Sequence, residues 1–198
     1  MFYWIGEGEA PAVFDPGKDD ALWLEIWNNV FMAYYKNDQG TFEELKDKNV
    51  DTGMGFERIN ILMQCITGEI KKPIKEASVY ETDLFADLMQ LIGTLVGEVR
   101  SQRIIADHLR AAFWLIEEGL VPTNEGRGYV LRRLIRRAYF QFIKSKKDEK
   151  MSMPHFLEIV SKAEDFLNGI YINKFTAKTS AIIIDEASKF SQTIETGK

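Results

Sequence analysis

The texture of the sequence changes near residues 70–80, and this change constrains the fold more than any other feature. Before it, from Phe2 to Glu44, aromatic and β-branched residues dominate and are broken by turn signals such as GEGEAP, FDPGKDD and NDQG. Such a pattern is typical of strands. After the change, segments with helical patterns follow one another almost throughout. The chain of 198 residues is therefore predicted to hold a β-rich part followed by a helical part.

The β-rich part is predicted to contain only a few elements. Residues 22–36 indicate one long strand, residues 37–40 a turn with glycine, and residues 41–45 a shorter antiparallel return. Residues 50–68 begin extended, pass two glycines and become helical, because apolar residues recur there at three- and four-residue spacing: Phe56, Ile59, Met63 and Ile66. A sheet this small leaves an unpaired edge, so further strands are expected from a segment on the N-terminal side.

The helical part carries recognisable start and stop signals. Residues 80–99 have Thr82 or Asp83 as a plausible N-cap, and the helix in residues 101–120 is predicted to end at Gly119. Pro122 lies just beyond that glycine, which is a common stop signal. The later helical patterns occupy residues 124–147, 153–170 and 175–196.

Charge is distributed unevenly between the two parts. The whole chain has a net charge of −5, but residues 1–70 contain 5 Lys and Arg against 13 Asp and Glu. The remaining residues contain 20 basic against 17 acidic side chains. This asymmetry indicates two parts with different partners, the second compatible with a polyanion.

Composition also excludes several classes of protein. No window approaches the roughly 18 uninterrupted apolar residues of a membrane span, and the start of the chain has no signal-peptide pattern, so a cytoplasmic protein without membrane contact is expected. A single cysteine, Cys65, excludes an internal disulfide framework. With His108 and His155 as the two histidines, the sequence holds no cluster at metal-ligand spacing, and no metal site is expected.

The most basic segment is residues 124–147, with eight Lys and Arg against one acid, Glu125. On a helical wheel, an apolar stripe opposes Arg132, Arg133, Arg136 and Arg137; its members are Leu131, Leu134, Ile135, Ala138 and Phe142. Such arginines can be a solvated face that keeps the helix soluble. However, a solvated face usually mixes charge signs, and the arginine fork suits phosphate oxygens. Nucleic acid is the favoured partner.

A second candidate site is the segment DTGMGFER, residues 51–58. Two glycines one residue apart let another group approach the backbone, and the helix that follows offers Arg58 in its first turns. This arrangement suits a phosphate. Glycines at this spacing also occur in bulges and turns, and Arg58 could instead be half of a surface ion pair.

Several segments together resemble one family. VDTGMGFERI, residues 50–59, resembles motif 3 of the class II aminoacyl-tRNA synthetases in the form found in alanyl-tRNA synthetases. Residues 103–138 resemble the tRNA-recognition domain of that family, and LEIWNNVFMAYYK and YETDLFADL resemble its intervening segments in the same order. The similarity covers nearly the whole chain and is weakest after residue 145.

The resemblance implies an ATP and alanine site in the first part. Arg58 corresponds to the motif 3 arginine that binds the ATP γ-phosphate, and Gly53 and Gly55 to the small residues beside the nucleotide. Asp51 corresponds to the carboxylate that pairs with the α-ammonium of alanine, so that Arg58 and Asp51 are the implied catalytic residues. Trp27 and Asn28 resemble part of the alanine pocket, although an aromatic residue in a strand is usually a core residue.

In the second part, the resemblance implies a surface that binds the tRNA acceptor stem, where the family recognises a G·U pair. Its predicted residues are Asn124, Arg127, Arg132, Arg133, Arg136 and Arg137. Three further residues of the resemblance, Asp107, His108 and Arg110, are expected to make structural hydrogen bonds rather than to take part in catalysis.

The resemblance is incomplete, because motifs 1 and 2 have no counterpart in the sequence. The chain is therefore expected to be an internal segment of an ATP-dependent alanine–tRNA ligase, inactive without the N-terminal catalytic segment and using ATP with Mg²⁺ in the parent enzyme. The implied fold is α+β. Residues 1–72 would end the class II catalytic domain and residues 73–198 would form a helical tRNA-recognition domain. The alternative is a non-catalytic RNA-binding or assembly module that retains the synthetase scaffold.

Overall fold

The computed structural model describes residues 1–18, 21–171 and 175–197. The chain divides into two compact units, Met1–Thr82 and Asp83–Lys198. Within the described residues, the first unit contains small antiparallel sheets and one α-helix, and the second contains five α-helices. The α+β class is thereby confirmed, whereas the functional domains 1–72 and 73–198 stay predictions.

The four described strands of the first unit form two separate pairs. Strands β1 (Phe2–Trp4) and β2 (Trp23–Glu25) pair antiparallel, and so do β3 (Trp27–Lys36) and β4 (Phe42–Met54). The single strand predicted over residues 22–36 is wrong, because the chain changes partner at Ile26. There the Ile26 N–H donates to the Met1 carbonyl at 3.0 Å, and the Ile26 carbonyl accepts from the Gly55 N–H at 3.1 Å.

Strand β4 is much longer than the short antiparallel strand that was predicted over residues 41–45. Its 13 residues include many Glu, Lys, Asp and Asn side chains, which have low intrinsic preference for strands. Pairing with β3 overrides that preference. The register places Asn28 opposite Gly53 and Val30 opposite Asp51, and it shifts between Met32 and Tyr34.

Helix α1 (Phe56–Thr67) follows β4 directly and ends at Gly68, which has φ of 81°, as the sequence predicts. Its buried side chains are Ile61, Leu62 and Gln64. The apolar residues that revealed the helix lie mostly on another face: Phe56, Met63 and Ile66 are each about half exposed, at 52%, 48% and 56%. Two single-turn 3₁₀ helices, Ile74–Glu76 and Val79–Glu81, complete the unit.

The second unit packs five helices around a common core: α2 (Ala86–Leu95), α3 (Val99–Glu117), α4 (Gly126–Ser145), α5 (Met153–Ile170) and α6 (Ala177–Thr196). The apolar stripe predicted for α4 is confirmed, since Leu131, Ile135, Ala138 and Phe142 are fully buried and Leu134 is half-buried. The predicted N-cap of α2 is wrong. Phe85 occupies that position, and the Thr82 hydroxyl instead donates to the Val79 carbonyl at 2.6 Å.

Candidate functional site

A cleft of about 360 Å³ lies in the first unit where β2 meets β3 and β4 meets α1. The change of pairing partner at Ile26 and the two glycines at the end of β4 create this opening. Five of the predicted site residues line it, and the full lining is Glu25, Ile26, Trp27, Asn28, Gly53, Met54, Gly55 and Arg58. The fold thus brings together residues from segments that are about 25 positions apart in the chain.

Arg58 bends back over the start of its own helix. Its Nη1 donates to the backbone carbonyl of Glu25 at 2.9 Å, and its side chain is exposed. A Cβ atom added at Gly55 would lie 3.1 Å from Cδ of Arg58 and 3.3 Å from its Cβ and Cγ. Gly55 therefore leaves the space that this arginine occupies.

Gly53 leaves comparable space for Asn28, its partner in the strand register. A Cβ atom at Gly53 would lie 3.1 Å from Oδ1 of Asn28. The Nδ2 of Asn28 donates to Oε1 of Glu25 at 3.1 Å. Trp27 is half-buried beside it, and its indole nitrogen donates to Oδ1 of Asn29 at 3.2 Å. The wall of the cleft is therefore partly aromatic and partly polar.

Asp51 is the predicted site residue of this unit that does not line the cleft. It lies two positions before Gly53 in β4, on the same face of the strand, because side chains alternate with a period of two. The residue is exposed and is paired with Val30. A molecule in the cleft would have to extend along β4 to reach its carboxylate.

The second unit carries a separate surface at the start of α4. Asn124 lies two residues before that helix, and both Asn124 and Arg127 are exposed. A depression of about 340 Å³ is lined here by Asn124, Tyr129, Arg132, Arg133 and Arg136. The depression therefore combines an amide, a phenol and three guanidinium groups.

The four arginines of residues 132–137 divide into two pairs with different surroundings. Arg132 and Arg136 are half-buried and share Glu186 of α6, with Nε to Oε1 distances of 3.3 and 2.6 Å. The Arg136 guanidinium also lies 5.0 Å from the centre of the Phe190 ring. Arg132 donates a further hydrogen bond to Oδ1 of Asn124.

Arg133 and Arg137 form the other pair and are exposed. They are close enough to His108 of α3 to affect it electrostatically. Burial is the largest cause that lowers the pKa of His108, followed by the positive charge of Arg137; Asp107 opposes the shift, and Arg133 adds to it. Burial and the neighbouring arginines therefore favour the neutral form of His108.

Structural hydrogen bonds were expected for Asp107, His108 and Arg110, and the structure supports this expectation only in part. Within the described residues, Nε2 of His108 is buried and has no hydrogen-bond partner, so the structural hydrogen bond expected there is not found. The Arg110 guanidinium lies 4.5 Å from the centre of the Phe85 ring, a cation–π contact within the helical unit.

Among the residues of these two sites that were not predicted are Glu25, Tyr129 and Glu186. Glu25 lies two residues before Trp27 in the segment LEIWNNVFMAYYK, which the sequence analysis connects with the family. Its position in that segment is a signal that could have identified it as a site residue. Tyr129 is one of several aromatic residues in the basic segment. Glu186 lies 50 positions after Arg136, and no local pattern connects the two.

The described residues contain neither a candidate metal site nor a candidate membrane span. Over residues 1–18, 21–171 and 175–197, no group of three or more His, Cys, Asp or Glu side chains could hold a metal ion. None of the helices in these ranges combines the length and the apolar character needed to cross a membrane.

Comparison with known proteins decides the family. The model of the family described as tRNA synthetases class II (A) matches residues 5–198. The chain belongs to this family. Its relatives include proteins named alanine–tRNA ligase, and together with the family model they support the alanyl-tRNA synthetase resemblance seen in the sequence.

Three such relatives show how far the similarity extends. The one from Neisseria meningitidis serogroup B is 39% identical and that from Rickettsia felis 36% identical, each over 100% of the chain and 22% of the relative. The relative from Nitrosospira multiformis is 38% identical over 92% of the chain and 20% of its own length. The chain thus spans about a fifth of the length of the curated relatives it matches.

Proposed function

We propose that this chain is part of an alanine–tRNA ligase, an enzyme that uses ATP to attach alanine to its tRNA in the cytoplasm. Residues 1–72 contribute part of the ATP and alanine site, and residues 73–198 contribute a surface for the acceptor stem. The observation that carries the proposal is the cleft that gathers Trp27, Asn28, Gly53, Gly55 and Arg58. Membership of the class II (A) family supports it independently.

Arg58 is proposed to bind the γ-phosphate of ATP. A guanidinium has five N–H donors in a planar fork that matches phosphate oxygens. One donor of Arg58 reaches the Glu25 carbonyl, which fixes the orientation of the group at the cleft while the side chain remains exposed. Gly53 and Gly55 leave room beside the backbone for the side chains of Asn28 and Arg58, which would face a nucleotide in the cleft.

Alanine is proposed to bind at Trp27, Asn28 and Asp51, with Asn28 and Asp51 on one face of the strand pair and Trp27 on the other. The α-ammonium group of alanine is a cation, and an exposed carboxylate such as that of Asp51 can pair with it by charge-assisted hydrogen bonds. Because Asp51 and Gly53 lie on one face of β4, the amino acid would lie along this strand beside the nucleotide.

Magnesium is proposed to enter as a complex with ATP. Among the described residues that line the cleft, Glu25 provides the single carboxylate, and it already accepts a hydrogen bond from Asn28. This donor set does not suit a resident magnesium site, which needs several oxygen ligands in octahedral geometry. No step of the reaction is therefore assigned to a metal held by this chain.

The surface at the start of α4 is proposed to bind the acceptor stem. Exposed arginines contact phosphates, which positions an RNA duplex without reading its sequence. Asn124 is the candidate for contact with a base edge, since the minor groove of RNA is wide and shallow enough for a short amide side chain. Arg127 and the arginines of residues 132–137 supply the positive charge around it.

Alanine-dependent exchange between pyrophosphate and ATP tests the catalytic half of the proposal. The chain alone is expected to be inactive, because it lacks the groups of motifs 1 and 2 that hold the α-phosphate. A polypeptide that carries those motifs should restore exchange when added in trans. In that mixture, Arg58→Ala should reduce the rate by about 100-fold or more, as expected for loss of a preorganised charge.

The matched control is Lys48→Ala. Lys48 is a cation of the same unit whose ion pair with Glu44 is exposed and contributes little, so exchange should be unchanged. Clear exchange by the pure chain alone would overturn the predicted inactivity. Equal rates for the Arg58→Ala and Lys48→Ala mixtures would overturn the role of Arg58, and a mixture that restores no exchange would favour the non-catalytic alternative.

A further inference from the structure

Glu186 of α6 is a buried carboxylate in the middle of a basic surface. It is 7% exposed, and Oε1 lies 2.6 Å from Nε of Arg136 and 3.3 Å from Nε of Arg132. Burial of a carboxylate is costly unless it is paired and hydrogen-bonded, and here both arginines provide the pairing. Phe190, one helical turn further along α6, lies against the Arg136 guanidinium. Glu186 therefore holds two side chains of α4 in fixed positions.

Arg132, one of these two arginines, also forms a hydrogen bond with Asn124. Arg132 donates through Nη1 to Oδ1 of Asn124, while its Nε faces Glu186. A guanidinium has donors but no acceptor, so the contact also determines which way the amide faces. The Oδ1 atom of Asn124 points to Arg132, and the Nδ2 group is available for a second partner. Asn124 is exposed in the segment before α4, and this contact orients its amide there.

We propose that Glu186 is a positioning residue for RNA recognition. It does not contact the RNA; it orients Arg132, and Arg132 orients the amide of Asn124 toward a base edge. The inference rests on the proposed acceptor-stem surface, and it adds a residue of α6 that lies outside the basic segment. The same carboxylate keeps Arg132 and Arg136 from acting as unrestrained phosphate-binding charges.

This arrangement gives two effects of opposite sign when the charge of Glu186 is removed. The Glu186→Gln variant should bind any acceptor-stem hairpin more tightly, since Arg132 and Arg136 become free to contact phosphates, and its salt dependence should steepen by about one ion. Its preference for a hairpin with a G·U pair over the G·C counterpart should fall by about tenfold, the scale of one lost base contact. A merely damaged fold would lower both quantities.

The experiment measures binding of the 198-residue chain to G·U and G·C hairpins across a salt series. Glu164→Gln is the matched control, because Glu164 is a half-buried acid of the same unit that accepts a hydrogen bond from Ser180 rather than from an arginine. This control should keep the preference of the parent chain. In an Asn124→Ala background, Glu186→Gln should have no further effect on the preference, because residues that act in series are not additive.

The outcomes separate the inference from the proposal on which it rests. A parent chain that does not bind the hairpins or does not prefer G·U overturns both. If Asn124→Ala loses the preference while Glu186→Gln keeps it, the acceptor-stem surface stands and the role of Glu186 is overturned. A loss of preference in Glu186→Gln that equals the loss in Glu164→Gln also overturns that role.

Discussion

At the scale of single residues, the arginines of α4 are not equivalent although they are consecutive in the sequence. Arg132 and Arg136 share a buried carboxylate, whereas Arg133 and Arg137 are exposed and face the solvent side of the helix. Exposed guanidinium groups can contact phosphates without first breaking an ion pair. The exposed pair is therefore the better candidate for direct contact with the RNA backbone.

Replacing Arg133 or Arg137 by Ala should weaken binding to G·U and G·C hairpins equally. Each lost phosphate contact should flatten the dependence of log K on log salt by roughly one ion. Hairpin binding across a salt series measures both quantities. The preference between the two hairpins should remain, since phosphate contacts do not read sequence.

Arg100→Ala is the matched control for this series. Arg100 is an exposed arginine of α3, next to Ser101, whose hydroxyl lies 2.9 Å from that of Ser145 at the far end of α4 from Asn124. Its removal should leave the salt dependence unchanged. Binding that ignores salt and survives loss of both Arg133 and Arg137 would instead identify these residues as a solvated face.

At the scale of elements, packing of α3 against α4 places His108 beside cations. The pKa of His108 is lowered from its ordinary value of 6.5 by burial and by Arg137, with Arg133 adding to the shift and Asp107 opposing it. Near that pH, the folded chain consequently binds fewer protons than the unfolded chain. The contribution of His108 to stability is then complete above pH 6.5 and is lost as the pH falls through the folded-state pKa.

The His108→Gln variant should therefore lose less stability than the parent chain when the pH is lowered from about 7.5 to 5, the range in which histidine titrates. Urea unfolding followed by the helical circular dichroism signal measures this difference. His155→Gln replaces the other histidine and should keep the pH dependence that His108 causes. Identical pH profiles for the His108→Gln variant and the parent chain would contradict the assignment.

At the scale of the whole molecule, the two units differ in how much of their structure is buried. In the first, β3 and β4 pair with each other, and several of their large apolar side chains are exposed, such as Phe31 at 78% and Tyr34 at 62%. In the second, most of the apolar side chains that α4 directs inward are fully buried. The free energy of local unfolding is lowest where few buried apolar contacts are lost, so the first unit should open more readily than the second.

Amide hydrogen exchange should therefore be faster in residues 23–35 than in residues 130–142. The measurement needs the intact chain under native conditions, with each amide rate divided by its intrinsic chemical rate. Helix α1 provides an internal comparison, because it belongs to the first unit but has the backbone hydrogen bonding of a helix. Better protection in residues 23–35 than in residues 130–142 would mean that another chain covers the exposed sheet, or that the order of stability is reversed.

The sequence by itself determined the features that depend on neighbouring residues. The existence of the helices, the ends at Gly68 and Gly119, and the buried stripe of α4 follow from periodicity and from glycines with positive φ, which act within a few positions along the chain. The family resemblance also came from contiguous motifs, and the match over residues 5–198 confirms it at the level of the family.

Only the tertiary structure decided which distant residues meet. The change of partner at Ile26 and the full length of β4 depend on strand pairing, because a strand gains its hydrogen bonds from another segment and not from its own residues. The cleft gathers Trp27 and Arg58 but leaves Asp51 outside its lining for the same reason. Within the described part of the chain, Glu186 forms ion pairs with Arg132 and Arg136 but not with the two other arginines of residues 132–137. An ion pair depends on the distance between the charged groups in space, which their spacing in the sequence does not reveal.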